Sequence, residues 1–278
     1  MIDIYKTRGI PGCIKIATLF FCKNLKLTIK RLWLPTLILA IIGATLTGYG
    51  LQDSLTLATQ LSTSPDPVAT YQGIVLRLIG LLLAYIVAFT VFAAAVFKFL
   101  NDLPLKRNIM REAILIGLRI LLILTFGLIA YYTRRWLPYS MLALVLLAYI
   151  IYVPFHHLEA GYMMQAVPPT HKPLAIFLQG FRRWGFLFAV QLVTWLILGV
   201  ILLVVGFPTF ILAMAKGYSS FGVLFFGDPS GLPASFPWLW AVALLLFWVA
   251  ICIAFVWAYT VFAYTYGSLN AKRNEKTT

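Results

Sequence analysis

Residues 137–163 read LPYSMLALVLLAYIIYVPFHHLEAGYM, an almost unbroken apolar run that ends in a small cluster of ionisable side chains. As an α-helix, a run of this length covers the hydrocarbon core of a bilayer, which is about 30 Å thick. Pro154 lies inside the run, and a proline is tolerated in a transmembrane helix, where it allows a kink. The run therefore predicts a membrane span.

The composition of the whole chain agrees with this prediction. Of its 278 residues, 62% are hydrophobic and 11% are charged, whereas soluble domains are about 45–50% apolar and about 25% charged. A soluble fold of this size could not bury so much apolar surface, so the soluble, disordered and collagen-like classes are excluded. The three cysteines are far apart and indicate neither a disulfide scaffold nor a zinc site.

Further apolar runs bring the number of predicted spans to six. Only short loops separate them, so residues 1–278 are predicted to form a single polytopic membrane domain of the all-α class. The predicted spans cover about residues 32–50, 71–97, 112–132, 137–163, 184–213 and 237–266.

The basic residues lie almost entirely on one side of these spans. Of the 22 lysines and arginines, 17 lie in the N-terminal segment, the second–third and fourth–fifth loops and the C-terminus, against three in the other loops. Because cytoplasmic loops carry the excess of lysine and arginine, this split predicts that both termini are cytoplasmic. The net charge of +14 is concentrated at membrane-flanking positions, so it does not indicate nucleic-acid binding.

The basic segment 1–31 predicts a helix on the cytoplasmic membrane surface. At helical spacing, Lys23, Lys26 and Lys30 share one face, and apolar side chains fall opposite. Such a helix lies in the membrane interface with its lysines near anionic headgroups. Membrane lipid is thus the first predicted partner.

A second surface helix is predicted over residues 170–183. It opens with a helix-start signal that contains Pro173, carries an apolar stripe and ends in Arg182 and Arg183, which are also assigned to lipid headgroups. In both segments a surface helix, paired basic residues and an aromatic residue precede a span. Because both copies start on the same side, this shared organisation indicates a parallel internal repeat.

Two groups of residues carry a resemblance to a known family. They are Phe177, Gly180, Phe181, Arg182 and Arg183 in the second surface helix, and Tyr264, Tyr266, Leu269 and Arg273 at the end of the last span. The chain resembles bacterial six-span membrane proteins related to the membrane domain attached to some glycerophosphodiester phosphodiesterases. The resemblance implies a location in the bacterial inner membrane. The hydrolytic barrel of those enzymes has no counterpart here, so no catalytic residue is carried over.

The sequence His156-His157-Leu158-Glu159 has the residue types of a metal site. His156 and Glu159 are three residues apart, a spacing at which two side chains on one helix can share a metal. A metal site usually needs three or four ligands, and this motif supplies two. We therefore predict no metal and no cofactor, with His156, His157 and Glu159 at the cytoplasmic end of the fourth span, facing water and headgroups.

Two arginines lie within predicted spans, Arg77 near the outer end of the second and Arg119 about two turns into the third. The long stem of an arginine lets its charged end reach the membrane surface. Asp53 is the predicted partner of Arg77, and Glu112 that of Arg119. The alternative for each arginine is an ion or headgroup site.

No aspartate or glutamate is expected inside a span, which argues against an ion-coupled pump. Small residues at every fourth position favour close helix packing, either within the chain or against a partner membrane protein or a second copy. These residues are Gly80, Ala84 and Ala88 in the second span and Ala250, Ala254 and Ala258 in the sixth.

These features favour a non-enzymatic integral membrane protein that serves as a scaffold or accessory subunit of a membrane complex and engages anionic lipid. The alternative is a small transporter or channel for a lipid or small solute. A third interpretation is a lipid-modifying enzyme that uses His156, His157 and Glu159. The sequence contains none of the common nucleotide-binding or hydrolase motifs.

Overall fold

The structure, a computed structural model, describes residues 4–60, 67–101, 103–133, 140–165, 172–226 and 231–274. Within these ranges the chain forms eight α-helices and no β-strand, which confirms the predicted all-α class. The helices are α1 (Ile10–Lys23), α2 (Leu25–Gln60), α3 (Pro67–Asn101), α4 (Leu105–Thr133), α5 (Ser140–Met164), α6 (Pro173–Arg182), α7 (Trp184–Phe226) and α8 (Phe236–Asn274).

Among the described residues, six helices are long and apolar enough to cross a membrane, as predicted. The helices extend past the predicted spans, because residues that are too polar for the bilayer core still continue the helical hydrogen bonding. The stretches with spanning character are Leu25–Ser54, Tyr71–Asn101, Leu105–Thr133, Leu142–Met164, Trp184–Gly222 and Phe236–Lys272. Residues 137–139 and 170–171, at two predicted helix starts, lie outside the described residues.

The predicted surface helix over residues 1–31 is divided in two. α1 ends at Lys23, and Asn24 caps it: its backbone N–H and its side-chain amide donate to the same carbonyl one turn earlier, at 3.0 and 2.8 Å. The backbone of Asn24 leaves the helical conformation, with φ −104° and ψ 10°, and α1 ends there. α2 starts one residue later, so Lys26 and Lys30 belong to a candidate span and not to the short helix.

The chain divides into two compact units. Unit 1 comprises Met1–Leu32, Ala93–Ile197 and Phe255–Thr278, and unit 2 comprises Trp33–Phe92 and Leu198–Ala254. Helices α2, α3, α7 and α8 therefore each contribute residues to both units.

Two glycines allow close helix packing in unit 1. A Cβ atom on Gly180 of α6 would lie 3.0 Å from the Cα and 2.9 Å from the Cβ of Pro154 in α5. A Cβ atom on Gly161 of α5 would lie 2.7 Å from side-chain atoms of Ile176 in α6 and Tyr266 in α8. Small residues allow helices to approach this closely. They fix the position of α5, the helix that carries the histidines and Glu159.

In unit 2, α2 and α8 pack through a glycine and a tryptophan. Gly43 of α2 lies against the indole ring of Trp248 in α8. The indole N–H of Trp248 donates to the hydroxyl oxygen of Thr47, one turn further along α2, at 3.0 Å. The hydrogen bond gives the ring's polar edge a partner inside an apolar contact.

Candidate functional site

An ion pair between a buried carboxylate and an arginine that is 20% exposed joins α4 and α5 in unit 1. Nη2 of Arg119 donates to Oε2 of Glu159 at 2.8 Å, and the Glu159 side chain is only 1% exposed. Nδ1 of His156 lies 3.1 Å from the same oxygen, and the guanidinium of Arg119 lies over the ring of Phe155 at 5.3 Å. A charge buried in this way needs a partner, and here each ion supplies the other's.

A second carboxyl group lies beside this pair. Glu112 of α4 is fully buried, and neither of its oxygens has a hydrogen-bond partner in the part of the chain that the structure describes. Its electrostatic neighbours include Glu159 and Arg119, and Tyr259 of α8 also lies next to Glu159. The site therefore combines two carboxyl groups, one guanidinium and one imidazole inside helices with spanning character.

Three expectations about these residues are wrong. The partner of Arg119 is Glu159 and not Glu112. Glu112 and Glu159 are buried within candidate spans, so the argument against an ion-coupled pump no longer holds. His156, His157 and Glu159 are 6%, 3% and 1% exposed, and they face the bundle interior instead of water and headgroups.

The two histidines are surrounded by aromatic rings. The ring of His156 lies 4.4 Å from that of Tyr152 and 4.9 Å from that of Phe262, and His157 lies 5.4 Å from Tyr266. The cavity beside them has a volume of about 10 Å³, which is room for one water molecule. Among the described residues, no three His, Cys, Asp or Glu side chains are grouped as metal ligands.

Arg111, which was predicted to lie in a loop, binds the end of a neighbouring helix. The side chain is buried, and its Nη1 donates to the backbone carbonyls of Tyr162 and Gln165, both at 3.0 Å. The last carbonyls of a helix lack partners within that helix and carry partial negative charge. Arg111 of α4 therefore caps the C-terminal end of α5.

The other arginine within a span, Arg77, forms the predicted pair with Asp53 in unit 2. Its Nη1 lies 3.3 Å from Oδ1 of Asp53, and its guanidinium lies 5.2 Å from the ring centre of Tyr49. The arginine side chain is 43% exposed and the aspartate side chain 5%. This pair is more accessible than the one between Arg119 and Glu159, and it contributes correspondingly less to stability.

The five residues assigned to lipid headgroups are all exposed. Within the described ranges none of them forms an ion pair with a carboxylate. Lys23 ends α1 and Arg182 ends α6, whereas Arg183 lies between α6 and α7. Their charges therefore face the surroundings of the protein and are not neutralised by its own described carboxylates. The set consists of Lys23, Lys26, Lys30, Arg182 and Arg183.

The two stripes of small residues differ in their surroundings. Gly80 and Ala84 on α3 are exposed, and a Cβ atom on Gly80 would meet nothing within 4 Å. On α8, Ala254 and Ala258 are buried, whereas Ala250 is half-buried, and Ala88 at the end of the α3 stripe is buried as well. Packing within the chain accounts for the buried members only.

Comparisons of the chain with protein-family models, with curated proteins and with solved structures found no match. The interpretation of the site thus rests on its own residues.

Sequence reasoning missed that Glu112 and Tyr259 lie beside Glu159. One signal was available: Glu112 and Arg119 are seven residues apart, so they lie on one face of α4.

Proposed function

We propose that this protein is a non-enzymatic accessory subunit or scaffold of a membrane complex, with both termini in the cytoplasm of a bacterial cell. In this proposal it holds anionic lipid headgroups at the cytoplasmic surface through Lys23, Lys26, Lys30, Arg182 and Arg183. The observation that carries the proposal is that all five charges are exposed and none is neutralised by a described carboxylate.

The energetics support a role in lipid selection. A lysine or arginine near an anionic leaflet contributes about 1 kcal/mol of attraction, so five of them together favour anionic over neutral lipid strongly. The six spanning helices already anchor the chain. The basic residues are therefore not required for attachment, and their charge is available to choose the lipids around the protein.

Neutralising the five residues is expected to weaken the selection of anionic lipid. The measurement is the ratio of phosphatidylglycerol to phosphatidylcholine that co-purifies from an equimolar mixture in mild detergent, determined by mass spectrometry. The wild type should be enriched in phosphatidylglycerol several-fold, and the enrichment should fall as salt rises. Replacing all five by glutamine should lower the ratio toward that of the bulk mixture.

A charge-retaining variant is the matched control. Lys23→Arg, Lys26→Arg and Lys30→Arg together should keep the enrichment, because the sign and number of charges are unchanged. Equal enrichment in the wild type and the glutamine variant would contradict the proposal.

The orientation of the termini can be tested with the native cysteines. Cys22 is exposed, whereas Cys13 and Cys252 are buried, and burial also raises the pKa of the Cys13 thiol. A membrane-impermeant maleimide should therefore label Cys22 only after permeabilisation, whereas Gly231→Cys should be labelled in intact spheroplasts. Labelling of Cys22 in intact spheroplasts would place the N-terminus on the outside.

A further inference from the structure

Unit 2 contains an open groove with a volume of about 710 Å³ between α2 and α8. This volume lies within the range of about 300–1,000 Å³ that is usual for ligand sites. On α2 the groove extends from Ile41 to Gln52, which corresponds to about 16 Å at the helical rise of 1.5 Å per residue. A groove of this length fits an extended chain and not a compact solute.

The two ends of the groove differ in polarity. Ile41 and Leu245 line one end with purely apolar surface. At the other end, where α2 approaches its C-terminus, the lining includes Tyr49, Gln52 and Lys216 of α7. The groove thus has an apolar body and a single polar, cationic end.

The cation at this end is available to a ligand. Lys216 is half-buried, and its Nζ lies 5.9 Å from the ring centre of Trp240, which also lines the groove. In the part of the chain that the structure describes, no carboxylate pairs with this ammonium. An aromatic ring attracts a cation but leaves its charge unneutralised, so an anion is the complementary partner.

We propose that this groove binds a phospholipid of the bilayer that has an anionic headgroup. One acyl chain lies between α2 and α8, and the headgroup meets Lys216. A headgroup with a net negative charge attracts this ammonium, whereas in a zwitterionic headgroup the choline ammonium cancels the phosphate charge. This site in unit 2 is separate from the five basic residues of the proposed function and does not depend on them. Burial of the chain supplies affinity, and Lys216 supplies the preference for a negative headgroup.

The test is photocross-linking in nanodiscs with phosphatidylglycerol that carries a diazirine on one acyl chain, compared with phosphatidylcholine that carries the same chain. Cross-linked peptides are mapped by mass spectrometry. The wild type should be labelled on groove residues, and at least three times more by phosphatidylglycerol than by phosphatidylcholine. Lys216→Gln should make the two lipids equal, and Lys216→Arg should keep the difference.

A groove-filling variant tests the position of the chain. Ala241 is exposed and lines the groove, so Ala241→Phe fills the groove without disturbing the buried core. It should remove the groove cross-links with both lipids. Ala84→Phe, at an exposed position of α3 in the same unit that does not line the groove, is the control and should leave them unchanged.

Three results would overturn the proposal. The first is equal labelling of the groove by the two lipids in the wild type, which would mean that Lys216 selects no headgroup. The second is labelling that Ala241→Phe does not reduce. The third is labelling spread evenly over exposed apolar residues of unit 2 such as Leu82 and Leu83, as expected of unspecific boundary lipid. None of these results depends on the cytoplasmic basic residues, so the two lipid proposals stand or fall separately.

Discussion

Glu159→Ala is expected to lower the free energy of unfolding by about 3–5 kcal/mol, because it leaves the guanidinium of Arg119 buried without its partner. Nε of Arg119 is also buried without a hydrogen bond in the described structure, and Glu159 supplies the ion pair that the guanidinium forms there. The measurement is reversible unfolding in mixed micelles by increasing fractions of SDS, followed by tryptophan fluorescence.

Two further variants separate the ion pair from simple loss of volume. Arg119→Met combined with Glu159→Leu removes both charges and fills the space, so it should recover most of the stability lost in the single variant. Glu112→Gln should be neutral or stabilising, because the amide is uncharged and can donate to Glu159. A double variant no more stable than Glu159→Ala would show that the charges do not act as a pair.

Gly180→Ala is expected to lower the free energy of unfolding by about 1–3 kcal/mol through overpacking. The added methyl group would lie 3.0 Å from the backbone Cα of Pro154, an atom that cannot move without shifting α5. The same unfolding assay measures the loss.

Gly117→Ala is the matched control for this substitution. Gly117 is exposed on α4 of the same unit, and an added Cβ would meet nothing within 4 Å. Alanine is the better helix former by about 1 kcal/mol, so this variant should be neutral or more stable. Equal behaviour of the two alanine variants would mean that α6 is not held against Pro154.

The helices could be predicted from the sequence because spanning depends on length and apolarity, which are local properties. The six spans are found in the order predicted, and even the pair between Arg77 and Asp53 follows from their predicted positions at the same membrane boundary. The break at Asn24 was not predicted, because apolarity and helical periodicity do not report the backbone conformation of a single residue.

The arrangement around Glu159 could not be predicted in the same way. Helical periodicity relates residues on one helix, so it offered Glu112 as the neighbour of Arg119. The actual partner belongs to the next helix, 40 residues further along the chain. α5 packs against α6 and α8 at Gly161 and Gly180, where the decisive feature is a missing side chain. The hydropathy of a sequence does not show where a missing side chain allows two helices to approach.

The division of one ion pair between successive helices has a consequence for biosynthesis. A charged residue at the centre of a span costs about 2.5–3.5 kcal/mol during insertion by the translocon. If α4 and α5 entered the lipid one at a time, Arg119, near the middle of its span, would bear this cost alone, and Glu159, five residues from the end of its span, would bear a smaller one. As a hairpin, the two helices enter with their charges already matched. We therefore expect the α4–α5 hairpin to be the unit of membrane insertion in this region, with α4 released into lipid only after α5 has been made.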